Sequence, residues 1–209
     1  MEKPKITQED TLETRMDELQ RRLCELVDVT LDPDTAQPYL ILSADGKQVK
    51  RGDTQHNLSD TPKRFNEVVS VLGREGFSSG KFYYEVQVKG KSRWTIGVAR
   101  ESINRKGKIN LGPKYGYWTI WLRDGIYEAQ NNPSVPLSLK GKLQRVGVFV
   151  DSYAGLVSFY DADRWYNIYS FANVPFTEKI YPYFSPSTND GGKNSAPLVI
   201  SPVHICPIN

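Results

Sequence analysis

The feature that most constrains the fold of this chain is a series of short segments in which apolar and polar residues alternate. In residues 81–88 (KFYYEVQV), Phe82, Tyr84, Val86 and Val88 share one side of an extended chain. A period of two residues is typical of a half-buried β-strand. Further short strand-like segments follow at residues 93–99, 117–122, 145–150 and 156–160.

Turn-forming residues separate these segments. Gly stands next to Lys or Asp at Lys89-Gly90 and Asp124-Gly125, and residues 151–155 (DSYAG) form the clearest hairpin link. Because the strand-like segments are short and no long helical pattern lies between them, we predict an all-β sandwich or barrel. The apolar flanks of the 151–155 link predict a buried central ribbon.

A different pattern occupies residues 7–27. Leu12, Met16, Leu19, Leu23 and Leu26 follow one another at spacings of 4, 3, 4 and 3 residues. This spacing is typical of a coiled-coil seam and predicts a helix. Two interpretations stay open: the tail of a longer coiled coil, which would self-associate, or an amphipathic helix docked on its own domain.

Charge and hydropathy exclude several classes of partner. The formal net charge is +3 at pH 7, short of the dense basic stripe of a nucleic-acid-binding protein. No apolar run reaches the roughly 18 residues that a membrane-spanning helix requires, and no apolar signal segment follows the first residues. We therefore expect a cytoplasmic protein that binds neither nucleic acid nor membrane.

The sequence offers little for metal binding or catalysis. It contains two cysteines, Cys24 and Cys206, and two histidines, His56 and His204, too few well-spaced ligands for a zinc site. We expect both thiols to be reduced and free. Neither a serine-nucleophile motif nor a phosphate-binding loop occurs, so we predict no enzyme activity, no metal and no cofactor.

Two tryptophans carry the strongest functional signal. Trp118 and Trp121 lie three positions apart in one predicted strand, so their side chains point to opposite faces. One is expected in the core. The other faces outward, where a large aromatic side chain is costly unless it meets a ligand. We favour Trp121 as the binding residue, and the reverse assignment stays open.

Several motifs in a fixed order resemble the signatures of a PRY-SPRY (B30.2/SPRY) domain. They are residues 31–33 (LDP), 64–65 (RF), 72–73 (LG), 83–86 (YYEV), 94–98 (WTIGV), 116–118 (GYW) and 189–194 (NDGGKN). The resemblance covers roughly residues 28–205. Together with the helical segment ahead of it, this order resembles the C-terminus of a tripartite-motif (TRIM) E3 ubiquitin ligase.

The resemblance implies a bent antiparallel β-sandwich of two sheets with an N-terminal helical leader. We expect residues 1–27 to form the leader, residues 28–80 the PRY part and residues 81–207 the SPRY part, which shares one sandwich with PRY. Domains of this kind bind protein surfaces and have no chemistry of their own. Catalytic recruitment is then expected from a RING domain elsewhere in the parent protein.

The resemblance also implies the place of the binding site. In the antibody-binding member of the family an acid, two Trp and a Phe line the pocket, and only Trp121 is retained at the matching positions here. We therefore expect the same place but a different partner. The predicted site is a shallow, loop-lined groove formed by Thr95, Trp121, Arg123, Tyr127, Ser187, Thr188, Asn189 and Asp190.

Two functions follow from this resemblance. The first is a protein-interaction module that recruits a target to a TRIM-type E3 ubiquitin ligase, in innate immune or antiviral signalling. The alternative is the cytosolic ligand-sensing B30.2 domain of a butyrophilin-like receptor, whose ligand the basic segment 100–108 (RESINRKGK) would attract.

Overall fold

The computed structural model describes residues 25–202, which form two β-sheets. The strands in chain order are β1 (Glu25–Leu26), β2 (Leu40–Leu42), β3 (Gln48–Arg51), β4 (Val71–Leu72), β5 (Lys81–Gln87), β6 (Trp94–Arg100), β7 (Tyr117–Arg123), β8 (Ile126–Ala129), β9 (Val135–Pro136), β10 (Arg145–Asp151), β11 (Leu156–Asp161), β12 (Tyr166–Phe171), β13 (Ile180–Ser185) and β14 (Leu198–Ile200). Short 3-10 helices span Pro113–Tyr115 and Asp190–Gly192. The predicted all-β sandwich is confirmed.

One sheet has eight strands and the other has six. The eight-stranded sheet runs in the order β12-β11-β10-β5-β14-β3-β2, with β1 also paired to β5. The six-stranded sheet runs in the order β4-β13-β6-β7-β8-β9. Apart from the parallel β1–β5 pair, the pairings are antiparallel.

The main core lies between the two sheets and follows strand alternation. Phe82, Tyr84, Val86 and Val88 are all buried there, as the period of two in residues 81–88 predicts. Burying such a side chain fully contributes roughly 1.5–3 kcal/mol. The residues of β10 between its ends are buried as well, so the predicted central ribbon is confirmed.

The β10–β11 hairpin forms where the turn residues predict it. Asp151 and Leu156 are the last paired residues, and Asp151 Oδ1 accepts the backbone N–H of Tyr153 and of Ala154 at 3.0 Å each. Gly155 adopts a φ of 66°, which favours glycine. The aspartate therefore closes the turn that separates the two buried strands.

Residues 28–80 and residues 81–202 share one core. Strands β2 and β3 join the eight-stranded sheet, whereas β4 joins the six-stranded sheet. Leu31 and Leu40 belong to the same buried cluster as Ile96 and Ile120. The N-terminal part is thus built into both layers of the sandwich.

The predicted leader helix falls largely on residues 1–24, outside the described residues. Where it overlaps them the prediction is wrong, because Glu25–Leu26 form β1, with Glu25 opposite Phe82. The heptad pattern is local, whereas β1 depends on the position of a distant strand. In the part of the chain that is described, no helix has the length and apolar character needed to cross a membrane.

Candidate functional site

The outer face of the six-stranded sheet is covered over one half and open over the other. Tyr117 and Tyr183 are buried on this face beneath Phe65 and Ile103, which the connecting segments supply. The rings of Tyr117 and Tyr183 pack edge to face, with their centroids 5.3 Å apart. The covering stops short of the opposite strand ends, and the candidate site lies there.

A row of four cross-strand neighbours forms the floor of the open half. Ser185 is opposite Thr95, Thr95 is opposite Trp121, and Trp121 is opposite Glu128. Thr95 is buried, whereas Trp121 is half-buried. Trp118 is only 2% exposed and lies in the main core, so the predicted division of the two tryptophans between opposite faces is confirmed.

Two neighbouring side chains contact the indole of Trp121. Its indole Nε1 donates a hydrogen bond of 2.9 Å to Glu128 Oε2. The guanidinium of Arg123 lies 5.6 Å from the centroid of the indole ring, within the range of a cation–π interaction. The ring is therefore fixed before any partner arrives.

The β7–β8 turn brings further charge to the rim of the site. Asp124 and Gly125 adopt φ values of 52° and 78°, the left-handed conformations of a tight hairpin turn. Asp124 forms an ion pair with Arg93, and Arg123 Nε lies 3.8 Å from the same carboxylate. Two cations thus share one anion, which leaves this group with net positive charge.

The second wall of the site is a loop, residues 186–193, that Asn194 positions. Asn194 is 3% exposed, and its Oδ1 accepts the backbone N–H of Ser92 and of Arg93 at 3.0 and 3.2 Å. Its Nδ2 donates to the carbonyls of Pro186 and Thr188 at 2.9 and 2.8 Å. One buried side chain therefore ties the loop to the start of β6.

Five of the eight predicted site residues surround one cavity of about 270 Å³: Thr95, Trp121, Arg123, Ser187 and Thr188. Sequence reasoning missed Val68, Ile109, Leu111 and Ser185, which also line it. Two of these, Ile109 and Leu111, stand out in the sequence as apolar residues within a turn-rich stretch. Such residues are a signal that a loop packs onto the sheet rather than extending into solvent.

Asn189 and Asp190 lie next to this cavity, in a shallow depression shared with Arg51 and Asp53. Asn189 Nδ2 donates to Asp53 Oδ1 at 3.2 Å, which links the loop to the segment after β3. Thr188 borders both the cavity and the depression. These two predicted residues thus extend the site toward the PRY part.

Tyr127 is not brought together with the other predicted residues. Its ring packs against Trp94, with centroids 6.1 Å apart, and against the main core. Its hydroxyl accepts the backbone N–H of Leu143 at 3.3 Å, and burial raises the pKa of that hydroxyl. Tyr127 follows Ile126 in β8, where alternation directs it away from the face of Trp121.

The arrangement at Trp121 suits non-covalent recognition. An indole ring, hydroxyl groups and a guanidinium converge there, and tryptophan and arginine are among the residues that dominate binding energy at protein interfaces. Over residues 25–202, no three His, Cys, Asp or Glu side chains cluster as metal ligands. The predictions for Cys24, Cys206 and His204 fall outside the described residues, and His56 is exposed in a loop.

Comparison with known proteins assigns the family. The SPRY domain matches residues 81–199, and the SPRY-associated domain, PRY, matches residues 29–77. Nuclear factor 7, brain, from Xenopus laevis is 50% identical over 174 residues, which are 83% of this chain and 28% of that protein. E3 ubiquitin-protein ligase TRIM21 from Mus musculus is 44% identical over 178 residues, 85% of this chain and 38% of that protein.

A solved structure supports the same architecture. The crystal structure of the TRIM65 PSpry domain superposes with a TM-score of 0.70 at 20% identity, covering 96% of this chain and 99% of that one. The chain spans well under half of the length of the two curated relatives above. The match to both parts of the domain covers nearly all of the described sandwich, and the chain therefore belongs to the SPRY domain family, with a PRY segment ahead of the SPRY domain.

Proposed function

We propose that this chain is the target-binding module of a TRIM-type E3 ubiquitin ligase and that it binds a protein partner in the cavity at Trp121. SPRY domains are non-catalytic protein-interaction modules. Relatives at 44% and 47% identity are named E3 ubiquitin-protein ligases. We assign ubiquitin transfer to another part of the parent protein, which we place in the cytoplasm and in innate immune or antiviral signalling.

The observation that carries this proposal is the half-buried indole of Trp121 on the open half of the sheet. Tryptophan and arginine are the residue types that most often dominate binding energy. The hydrogen bond to Glu128 fixes the ring in advance, so little side-chain freedom is lost when a partner binds. The hydroxyls of Thr95 and Thr188 border the cavity and offer hydrogen bonds that orient the partner, whereas Ser185 Oγ already donates to the carbonyl of Val69.

The basic segment 100–108 gives little support to the alternative of a ligand-sensing, butyrophilin-like domain. Lys106 Nζ forms an ion pair with Asp60 and donates to the carbonyls of Thr61 and Arg64. Arg105 donates to the carbonyls of Lys63 and Glu101. Both side chains therefore already hold the fold together, and the observed contacts favour protein recognition at Trp121.

A capture experiment tests the proposal. Wild-type chain and Trp121→Ala are used to capture proteins from a cell lysate, and we expect the variant to lose a partner that wild type retains. Truncating one anchor typically costs about 2–4 kcal/mol of affinity. Tyr153→Ala is the matched control, because Tyr153 is 79% exposed and lies in the β10–β11 turn of the other sheet.

A second measurement, ubiquitination of the captured protein, tests the proposed ligase activity of the parent protein. In the full-length ligase, the captured protein should be ubiquitinated with wild type and the Tyr153→Ala control but not with Trp121→Ala. Equal capture by wild type and Trp121→Ala would exclude Trp121 as the anchor. Capture without ubiquitination would support the binding site at Trp121 and would contradict the ligase assignment.

A further inference from the structure

A second groove lies beside the β7–β8 hairpin, apart from the Trp121 cavity. It encloses about 600 Å³ between that hairpin and the segment from Pro136 to Lys142, and it shares only Leu122 with the cavity. Tyr127, Leu137 and Leu139 give it an apolar lining. Ile126, at its rim, is 56% exposed and adds open apolar surface beside this lining.

The charged residues in the walls of this groove are all cations. Lys91 and Lys142 line it, and no Asp or Glu does. Lys91 is only 1% exposed, and its Nζ donates to the carbonyls of Asn194 and Ala196 at 3.2 and 2.9 Å. Within residues 25–202, no carboxylate pairs with it.

A buried cation without a counter-ion is costly, because desolvation is not repaid by an opposite charge. The lowering of the Lys91 pKa to about 8 by burial agrees with this environment. The Lys91 ammonium is itself covered, so a carboxylate in the groove would contact the exposed Lys142 and would stabilise the charge of Lys91 through its negative potential. An apolar side chain next to that carboxylate would cover Ile126 and the leucine lining.

The border of the groove favours a peptide as the occupant. Pro136 belongs to β9, the edge strand of the six-stranded sheet. Extended peptides commonly bind along a sheet edge, where main-chain groups can pair. We propose that this groove is a second interaction surface, which binds an extended acidic segment with apolar side chains from a protein partner.

The proposal is tested with a defined probe, the acetylated and amidated peptide Glu-Leu-Glu-Leu-Glu. We expect its titration to shift the NMR amide signals of Ile126, Tyr127 and Leu139, whereas the peptide with Lys in place of each Glu leaves them unchanged. Lys142→Glu and Ile126→Glu should each weaken binding about tenfold. Lys50→Glu, an exposed charge reversal on the other sheet, is the matched control.

Trp121→Ala separates this proposal from the one for the cavity, because it should bind the probe as wild type does. Thermal melting of each variant confirms that it is folded. The proposal is overturned if the probe causes no shifts at concentrations up to about 5 mM, a limit set by the weak affinities expected of a short segment. Three other results would also overturn the proposal. They are NMR shifts centred on Trp121, unchanged binding of the peptide to Lys142→Glu, and tighter binding of the fatty acid decanoate than of the peptide.

Discussion

Trp118 and Trp121 are separated by two residues in β7, yet the structure gives them different surroundings. Trp118 packs between the sheets, whereas Trp121 lies on the outer face beside Thr95 and Glu128. Sequence alternation suffices to divide the pair between two faces. Which of the two faces is the core depends on the eight-stranded sheet that packs against β7.

This difference predicts unequal costs of truncation. Trp118→Ala should lower the free energy of unfolding by about 3–5 kcal/mol, because it leaves a cavity in the core. Trp121→Ala should lower it by about 1 kcal/mol or less, as expected of a partly exposed side chain outside the core. Urea unfolding followed by fluorescence measures both. A larger loss for Trp121→Ala than for Trp118→Ala would contradict the assignment of faces.

Lys91 gives a prediction for pH dependence. Burial lowers its pKa in the folded chain from 10.5 to about 8, so between these values the unfolded chain binds more protons. The stability contributed by this group therefore rises with pH above 8, by at most about 1.4 kcal/mol per pH unit. Burial raises the pKa of Tyr183 from 10.0 to about 12, an opposing effect at higher pH.

The measurement is chemical denaturation of wild type and Lys91→Met between pH 7 and about 10. The upper limit is the ordinary pKa of tyrosine, so tyrosine ionisation contributes little below it. Wild type should gain stability relative to Lys91→Met as the pH rises through this range. Parallel curves for the two chains would show that Lys91 keeps an ordinary pKa in the folded state.

At the scale of elements, the loop 186–193 depends on one side chain. Asn194 bonds to the backbone of Ser92 and Arg93, just ahead of β6, and to the loop carbonyls. Replacing it would leave several buried polar groups without partners. Asn194→Ala should therefore cost about 1–3 kcal/mol of stability. It should also speed hydrogen exchange of the loop amides that line the cavity.

Hydrogen exchange followed by mass spectrometry checks this prediction, with exposed Asn110→Ala as the control. We expect faster exchange in residues 186–193 for Asn194→Ala only, together with weaker capture of the partner. Unchanged exchange in this loop would mean that the neighbouring strands, rather than Asn194, hold it.

The strands differ in how well the sequence indicates them. Alternation predicts β5, and turn residues predict the β10–β11 hairpin within a residue of the observed ends. The sequence pattern does not indicate β13, where Pro182 interrupts the strand pattern yet lies opposite Val98. A proline inside a strand argues against the strand from local sequence, and only its neighbours on both sides show that the position is tolerated.

At the scale of the whole molecule, the leucine seam of residues 7–27 predicts self-association. Light scattering of the full chain and of a chain that starts at Glu25, which keeps β1, decides it. We expect the full chain at high concentration to form particles heavier than a single chain, whereas the truncated chain stays at the mass of one chain. The reason is that a second copy buries the apolar stripe. Equal masses with lower stability after truncation would favour docking on the same chain, and equal masses with equal stability would exclude both.

The sequence by itself determined the fold class, the β5 face that enters the core and the position of Trp121 on the face opposite to Trp118. These follow from short-range rules, since alternation and turn chemistry act over a few residues. Only the tertiary structure decided which outer-face residues stay open. Phe65 and Ile103 cover Tyr117, Asn194 brings Thr188 to Trp121, and the β7–β8 hairpin directs Tyr127 to a separate groove. These outcomes depend on contacts between residues far apart in the chain, and no local pattern encodes them.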